Sequence, residues 1–253
     1  MPLFARAIGE GAEPVVLLHG FGGTHAAWDM VVDALSPDVP LLVYDLPGHG
    51  ESHDFPDAGP AKLAAQAILA DLAERGIARA HLAGHSMGGA VAALMGIIEG
   101  ARVASLTLLS PGGFGPEINH RLLTRYAAAQ DEASILTCLE AMYGWMSPVS
   151  EKVVRESLAA RASPGRVETL VRIAQGLVRD GRQGQLPRDR LEGLAMPVAV
   201  VWGQLDNVLP VRHARGLPWP FGVHIFPDLG HMLPQEAPAE CAAIIRRTAG
   251  LRR

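Results

Sequence analysis

The stretch Ala80-His81-Leu82-Ala83-Gly84-His85-Ser86-Met87-Gly88-Gly89 decides the fold of this chain. Its apolar start predicts a buried strand, and the Ala-, Leu- and Ile-rich segment Met87–Glu99 predicts a helix. Glycine at positions 84 and 88 lets the backbone turn tightly between the two elements, because it has no Cβ to block a close approach. A serine at such a strained turn is exposed at the end of the strand, beside the positive end of the helix. We therefore interpret Ser86 as a nucleophile. The alternative is that the pattern Gly-x-Ser-x-Gly occurs here by chance in a chain that has 28 glycines.

A serine hydroxyl is a weak nucleophile and needs a base within hydrogen-bond reach, which a third group must orient. Asp206 lies just beyond the predicted strand Val198–Trp202, and His231 follows the next predicted strand, Val223–Phe226, after a short loop. Both positions are at strand carboxyl ends, so both side chains can converge on the sheet edge that carries Ser86. The sequence therefore predicts Asp206 as the acid and His231 as the base, in the chain order serine, acid, histidine.

The chain offers rivals for the acid and for the base. Asp228 lies too close to His231 along the chain to orient it, and Ser110-Pro111, which ends an earlier strand, offers no carboxylate. The segment Asp45–Ser52 is rich in turn residues, so we interpret it as a structural turn. The side chains that we interpret as structural rather than catalytic are His19, His49, Ser52 and His85.

A glycine-rich loop, His19-Gly20-Phe21-Gly22-Gly23, follows the predicted strand Val15–Leu18. Glycine at these positions allows backbone N–H groups to face the serine. We expect the N–H groups of Phe21 and Met87 to form an oxyanion hole, which stabilises negative charge as it develops on the substrate. The alternative, a phosphate-binding loop, is disfavoured because the loop has neither the G-x-G-x-x-G spacing nor a Gly-Lys-Ser/Thr signature.

Short apolar runs alternate with helical patterns along most of the chain. The predicted strands are Val15–Leu18, Leu41–Tyr44, Ala80–Ala83, Val103–Leu109, Val198–Trp202 and Val223–Phe226. The predicted helices between and after them are Pro60–Arg75, Met87–Glu99 and Pro238–Leu251. Apolar runs of this length are typical of strands buried on both faces, and strand–helix alternation predicts a mostly parallel sheet covered by helices.

One segment interrupts this alternation. Residues 114–194 show helical patterning and no convincing strand. The candidate helices there are Glu117–Ala129, Glu132–Trp145, Ser150–Arg161 and Arg166–Arg179. Because about 80 residues are too many for a plain connection, we expect a helical lid subdomain at 114–194 over a core of residues 1–113 and 195–253. Four side chains in it, Met142, Tyr143, Trp145 and Met146, are interpreted first as core packing and second as pocket lining.

Composition excludes several classes of function. A net charge of −4 spread over 253 residues provides no basic stripe for nucleic acid and no polybasic anchor for a membrane surface. No apolar run approaches the ~18 residues of a membrane span, and no signal peptide is visible, so we expect a cytoplasmic protein. Cys138 and Cys241 lie in apolar, helix-like stretches and are interpreted as inert buried thiols. No metal site or bound cofactor is expected, and the sequence leaves open whether the chain forms a homo-oligomer.

Taken together, these segments resemble the α/β-hydrolase superfamily over essentially the whole chain. The segments that carry the resemblance are His19-Gly20-Phe21-Gly22, Asp45–Ser52, Gly84–Gly89, Gly203–Asp206 and Gly230-His231. The segment Leu108–Asn119 looks like the hydrolase-type domain of the acetoin dehydrogenase dihydrolipoyllysine acetyltransferase component. That domain is joined to an N-terminal lipoyl domain, which is not visible here, so we expect a free-standing relative to which lipoyl-linked transfer does not simply carry over. The family implies no metal and no tightly held cofactor.

The sequence favours a serine hydrolase acting on a small ester, thioester or related acyl compound. Acyl transfer to a thiol, carbon–carbon bond hydrolysis and perhydrolysis are compatible with the same three side chains. A binding protein that keeps the fold without turnover is the alternative from a different class, and the intact set of Ser86, Asp206 and His231 argues against it. Neither the fold nor the triad selects the substrate.

Overall fold

A seven-stranded sheet forms the centre of the protein. In a computed structural model, which describes residues 2–35 and 37–251, its strands are β1 (Ala5–Ile8), β2 (Val15–Leu18), β3 (Leu41–Tyr44), β4 (Ala80–His85), β5 (Val103–Leu109), β8 (Val198–Gly203) and β9 (Gly222–Phe226). The strand order is β1-β3-β2-β4-β5-β8-β9, and every pairing except that of β1 is parallel. The predicted parallel sheet and its six strands are thus confirmed. The carboxyl ends of β4, β8 and β9 lie at one edge of this sheet.

Strand β1 was not predicted from the sequence. It pairs antiparallel with β3 at the edge of the sheet, with Ala5 opposite Tyr44 and Ile8 opposite Leu41. Its sequence, Ala-Arg-Ala-Ile, has no continuous apolar run, and its residues are half-buried or exposed. An edge strand buried on one face only does not show the pattern by which the central strands were recognised.

Helices cover both faces of the sheet. Those of the core are α1 (Asp29–Leu35), α2 (Ala61–Glu74), α3 (Met87–Ile98), α9 (Leu233–Glu236) and α10 (Pro238–Thr248). Strand β2 illustrates the two-sided burial: Val16 and Leu18 pack with the cluster that contains α2 and α3, whereas Val15 and Leu17 pack with the cluster that contains α1 and α10. This alternation follows from the two-residue period of a strand.

The helical insertion connects β5 to β8. Its helices are α4 (His120–Ala128), α5 (Glu132–Glu140), α6 (Glu151–Ala159), α7 (Arg166–Gly176) and α8 (Arg188–Glu192). Each of the four predicted helices is present but shorter than expected, and a side-chain oxygen caps the first turn of three of them. Asn119, Asp131 and Ser150 accept hydrogen bonds from backbone N–H groups at the starts of α4, α5 and α6.

The expectation of no strand between residues 114 and 194 was wrong. A small antiparallel hairpin joins β6 (Val178–Arg179) to β7 (Arg182–Gln183). The two residues between these strands, Asp180 and Gly181, have φ angles of 53° and 74°. Asp-Gly with both φ angles positive is the preferred sequence of a two-residue hairpin turn, so the signal was present in the sequence. Within residues 2–35 and 37–251, no helix has the length and apolar character needed to cross a membrane.

Candidate active site

Ser86 occupies the sharp turn between β4 and α3. Its φ of 52° and ψ of −113° are unusual for a residue with a side chain. Hydrogen bonds hold this conformation from both sides: the Ser86 N–H donates to the carbonyl of Leu109 at 2.9 Å, and the Ser86 carbonyl accepts from Gly112 at 2.9 Å. The strained backbone is therefore fixed by the neighbouring strand β5 and the loop that follows it.

Glycine is required on both sides of this turn. A Cβ at Gly84 would lie 2.2 Å from the carbonyl oxygen of Gly88, and a Cβ at Gly88 would lie 2.2 Å from the carbonyl oxygen of Leu18. Both obstacles are backbone atoms, which cannot move aside as a flexible side chain could. The two glycines of the sequence motif thus let α3 start directly against β4 and β2, as the sequence predicts.

His231 and Asp206 meet at the same sheet edge. The Nδ1–H of His231 donates to Oδ2 of Asp206 at 2.8 Å, and both side chains are buried. Oδ1 of Asp206 accepts from the N–H groups of Val208 and Leu209, each at 2.8 Å, while Oδ2 also accepts from Nε1 of Trp202 at 3.1 Å. With Nδ1 protonated, Nε2 of a neutral His231 ring is the nitrogen that can accept a proton.

The pKa of Asp206 lies below its ordinary value. Burial acts to raise it, but the charge and hydrogen bond of His231, together with the N–H groups of Leu209 and Val208, outweigh that effect. The carboxylate therefore stays ionised near neutral pH. An ionised, buried carboxylate fixes the ring orientation of His231 and stabilises the imidazolium that forms when the ring takes a proton.

The glycine-rich loop 19–23 lies against Ser86. A Cβ on Gly20 would lie 3.2 Å from Cβ of Ser86, so the loop backbone approaches Ser86 closely. Phe21 and Ser86 line the same cavity. Met87 is the first residue of α3, and the first N–H groups of a helix have no partner inside it. The two predicted oxyanion-hole residues thus lie on the two segments that flank Ser86.

Comparison with known proteins agrees with this architecture. A family model described as the alpha/beta hydrolase family matches residues 15–244. The chain belongs to this family. Among solved structures, a meta-cleavage product hydrolase from Pseudomonas fluorescens IP01 superimposes with a TM-score of 0.86 at 20% identity, over 98% of this chain and 94% of that one. At that identity the likeness shows the fold alone, and it covers nearly all of this α/β hydrolase.

This chain covers different shares of two curated relatives. The dihydrolipoyllysine-residue acetyltransferase component of the acetoin cleaving system of Cupriavidus necator is 35% identical over 244 residues, which are 96% of this chain but 65% of that protein. The chain thus spans a little less than two thirds of that relative. A pimeloyl-[acyl-carrier protein] methyl ester esterase of Vibrio campbellii is 29% identical over 84% of this chain and 83% of its own length.

His19 and His85 of the α/β hydrolase make structural hydrogen bonds. The Nδ1–H of His19 donates to the carbonyl of Gly20 at 2.7 Å, and its Nε2 accepts from the N–H of Leu46 at 3.0 Å. Nε2–H of His85 donates to the carbonyl of His231 at 2.8 Å. Burial lowers the pKa of His85 to about 3 and lowers that of His19, so both rings are neutral. They position the loop and the histidine backbone.

Glu236, at the end of α9, was not recognised from the sequence. Its Oε2 accepts from Gly230 at 2.9 Å and from Gly144 at 2.7 Å, and its Oε1 accepts from Met232 at 2.9 Å. Two of these N–H groups flank His231, and the third belongs to the helical insertion. Glu236 therefore fixes the backbone of the histidine loop and joins it to the insertion. The signal in the sequence was a glutamate on the helix that directly follows His231.

The segment Asp45–Ser52 is a structural turn built on the buried carboxylate of Asp45. Oδ1 of Asp45 accepts from the N–H of His25 at 2.6 Å and its ring Nδ1–H at 3.0 Å, while Oδ2 accepts from the N–H of Glu51 at 2.8 Å. Burial lowers the pKa of His49 to about 3, and Oγ of Ser52 accepts from the N–H of Phe4. The His25–Asp45 pair itself was not recognised from the sequence.

Two cavities meet at Ser86. One, of about 80 Å³, is lined by Ser86 and His231, and the other, of about 330 Å³, by Ser86 and Met87. The helical insertion lines both. Of its four apolar side chains singled out in the sequence, Met142 and Tyr143 are buried, whereas Trp145 and Met146 are 88% and 82% exposed. The packing interpretation was therefore wrong for the last two, because α5 ends at Glu140 and the chain turns outward after Gly144.

The two cysteines are buried and unbridged. Burial raises the pKa of the Cys241 thiol to about 12 and also raises that of Cys138, so neither is a thiolate at neutral pH. In the described part of the chain, no group of three or more histidine, cysteine, aspartate or glutamate side chains is arranged to hold a metal ion.

Proposed function

We propose that this protein is a serine hydrolase that cleaves a small ester, thioester or related acyl compound. The observation that carries the proposal is the buried hydrogen bond between His231 and Asp206, 2.8 Å long, in a cavity that His231 shares with the strained Ser86. A base oriented in this way beside a serine on a strand–helix turn is the arrangement used for acyl transfer.

The reaction proceeds in two halves. Nε2 of His231 takes the Ser86 proton while Oγ attacks the substrate carbonyl, and the N–H groups of Phe21 and Met87 stabilise the resulting oxyanion. His231 then gives its proton to the leaving alcohol or thiol as the acyl bond breaks, which leaves an acyl group on Ser86. Water, deprotonated by His231, attacks this acyl-serine, releases a carboxylic acid and restores the Ser86 hydroxyl. Asp206 stabilises the imidazolium in both halves.

We include in this proposal a lid role for the segment 114–194. Its residues Leu123, Tyr126 and Met142 line the cavity that holds Ser86 and His231, and Ile118 and Leu177 line the larger one. Excluding water from the site strengthens the electrostatic interactions inside it. The division of the chain into a core and a lid subdomain belongs to the same proposal.

Replacing the nucleophile tests the proposal most directly. We expect Ser86→Ala to lower the turnover of p-nitrophenyl acetate by on the order of 10⁴-fold or more and to abolish labelling by a fluorophosphonate. Ser105→Ala is a matched control, since Ser105 is a buried serine on β5 that bonds His81 rather than the site. Full activity in Ser86→Ala would remove this assignment, and a folded wild-type protein that does not label would favour a binding protein without turnover.

Acyl transfer is a second candidate. The acetoin-system relative, 35% identical over nearly all of this chain, is named as an acetyltransferase component. In that case the acyl group on Ser86 passes to a thiol instead of water. The test uses p-nitrophenyl acetate as the acyl donor with dihydrolipoamide present. Release of free acetate supports hydrolysis, whereas formation of S-acetyldihydrolipoamide at the expense of acetate supports transfer.

A further inference from the structure

The two cavities at Ser86 differ in their relation to the base. The smaller one, of about 80 Å³, is lined by His231, Met232 and Gln235 beyond Ser86. The larger one, of about 330 Å³, extends from Ser86 along α3 past Met87, and among the described residues its lining does not include His231. Phe21 lies between the two and lines both.

This difference decides which part of a substrate enters which cavity. The imidazolium of His231 must hand its proton to the leaving alcohol or thiol, so the leaving group lies on the side of Ser86 that faces His231. The acyl group points the other way from the tetrahedral carbon. Resting on the serine-hydrolase function proposed above, we propose that the larger cavity binds the acyl chain and the smaller cavity binds the leaving group.

The lining of the larger cavity defines the class of acyl chain. Its side chains are mostly apolar, among them Leu94, Ile118, Leu177 and Leu209, and none of its described lining residues carries a charge. Two amide side chains also line the cavity. That of Gln185 is exposed to solvent, and that of Gln183 is already bonded to backbone: Oε1 accepts from Gly113 at 3.0 Å and Nε2 donates to Glu117 at 3.1 Å. A charged group in such surroundings would lose its hydration without compensation. The acyl chain is therefore uncharged and apolar.

The volume of the cavity indicates the length of the chain. The larger cavity has about four times the volume of the smaller one, 330 Å³ against 80 Å³. An acetyl group leaves most of this space empty, so we expect turnover to rise as the acyl chain is lengthened beyond acetyl.

The smaller cavity has a polar rim on the helical insertion. Lys152 lies there, 3.0 Å from Asp29 and 2.5 Å from Glu156, and all three residues line the cavity. A leaving group that is small and polar fits this rim better than an extended alkyl chain. The substrate class is thus an ester or thioester that joins an apolar acyl chain longer than acetyl to a small polar alcohol or thiol.

Two matched substitutions test the assignment of the cavities. Ala90 lines the larger cavity and Ala160 the smaller, and both alanines are half-buried. We expect Ala90→Leu to lower the ratio of kcat/KM for p-nitrophenyl octanoate over acetate by about 10-fold or more. Ala160→Leu should leave that ratio within about twofold of wild type. It should instead lower the ratio of kcat/KM for octyl butyrate over methyl butyrate. Leu94→Ala, which enlarges the larger cavity, should move the optimum to longer acyl chains.

Several outcomes would overturn the assignment. In the first, Ala160→Leu lowers the octanoate-to-acetate ratio and Ala90→Leu lowers the octyl-to-methyl ratio. In the second, the dependence of kcat/KM on acyl length is unchanged in Ala90→Leu and Leu94→Ala, although both variants unfold as cooperatively as wild type. Preference for an acyl chain ending in a carboxylate over octanoate would contradict its apolar class, since we expect such a chain to react on the order of 100-fold more slowly. Ser86→Ala, measured alongside, separates this failure from failure of the proposed function: if Ser86→Ala is inactive, only the cavity assignment is lost.

Discussion

Two histidine–aspartate pairs of the protein have a buried carboxylate and nearly the same hydrogen-bond distance. In one, Nδ1 of His231 lies 2.8 Å from Asp206; in the other, Nδ1 of His25 lies 3.0 Å from Asp45. Both carboxylates are fully buried, and the pKa of each lies below its ordinary value even though burial acts in the opposite direction. The N–O distance and the burial of the carboxylate therefore do not distinguish a candidate catalytic pair from a structural one.

The surroundings of the two histidines do distinguish the pairs. Asp45 binds both the ring and the backbone N–H of His25, so this pair closes a local turn, and the His25 ring lies 4.9 Å from the ring of Phe4. The backbone of the His231 loop is instead held by a third residue, Glu236, and the only part of His231 that Asp206 binds is the ring. A histidine whose backbone and ring are held separately can present Nε2 to a cavity, and His231 lines the same cavity as Ser86.

The largest expected effect is on kcat, and it distinguishes the carboxylate of Asp206 from that of Asp45. Asp206→Asn should lower kcat on p-nitrophenyl acetate by on the order of 10⁴-fold, because an amide can no longer hold the imidazole in the required tautomer or stabilise its cation. Asp45→Asn should change kcat by less than about tenfold and lower the unfolding temperature, because it weakens the turn that Asp45 organises. Comparable losses of kcat in both variants, with both folded by circular dichroism, would show that the comparison is mistaken.

Glu236→Ala tests whether the carboxylate that holds the His231 loop affects kcat, and its expected effect is the second largest. Without its carboxylate, the N–H groups of Gly230 and Met232 lose their partners and the His231 loop shifts; a misplacement of ~1 Å costs roughly 10²-fold in kcat. We expect KM to change little, since neither Gly230 nor Met232 lines the larger cavity. Glu236→Gln keeps one of the two acceptor oxygens and should recover part of the loss. The measurement is steady-state kinetics together with the rate of fluorophosphonate labelling.

Glu240→Ala is the control for this series. Glu240 is an exposed glutamate one turn further along the chain, in α10, and its removal should leave kcat and the unfolding temperature unchanged. A purely structural role for Glu236 would lower the unfolding temperature without slowing the labelling of Ser86 in the folded protein. That result would show that Glu236 contributes to the stability of the fold and does not position His231.

The central sheet and the candidate triad could be predicted from the sequence because they rest on local patterns. Strands such as Val15–Leu18 and Val103–Leu109 are buried on both faces and appear as continuous apolar runs. The elbow at Ser86 has a local glycine spacing, and strand carboxyl ends mark where Asp206 and His231 must lie.

The remaining features depend on contacts between distant residues or on very short elements. Glu236 acts on Gly144, 92 residues away along the chain, and Asp45 acts on His25, 20 residues away. Neither contact leaves a periodic pattern. The edge strand Ala5–Ile8 has only four residues, too few to show a period. The outward turn after Gly144 depends on backbone packing against Asp228, which a hydrophobic pattern does not contain.

The smallest expected effect concerns the pH dependence of stability at the second pair. The hydrogen bond to Asp45 raises the pKa of His25 above its ordinary 6.5, so the stabilisation is fully present below pH 6.5 and is lost as pH rises through the raised value. His25 is partly exposed, which limits its contribution to about 1 kcal/mol, or roughly 2–4 °C in a chain of this length. We expect the unfolding temperatures of wild type and His25→Gln to differ more at pH 6 than at pH 9. His224→Gln, at a half-buried histidine on the edge strand, corrects for general effects of removing an imidazole. A difference that is constant, or that grows with pH, would show that the ionised His25–Asp45 pair does not stabilise the turn.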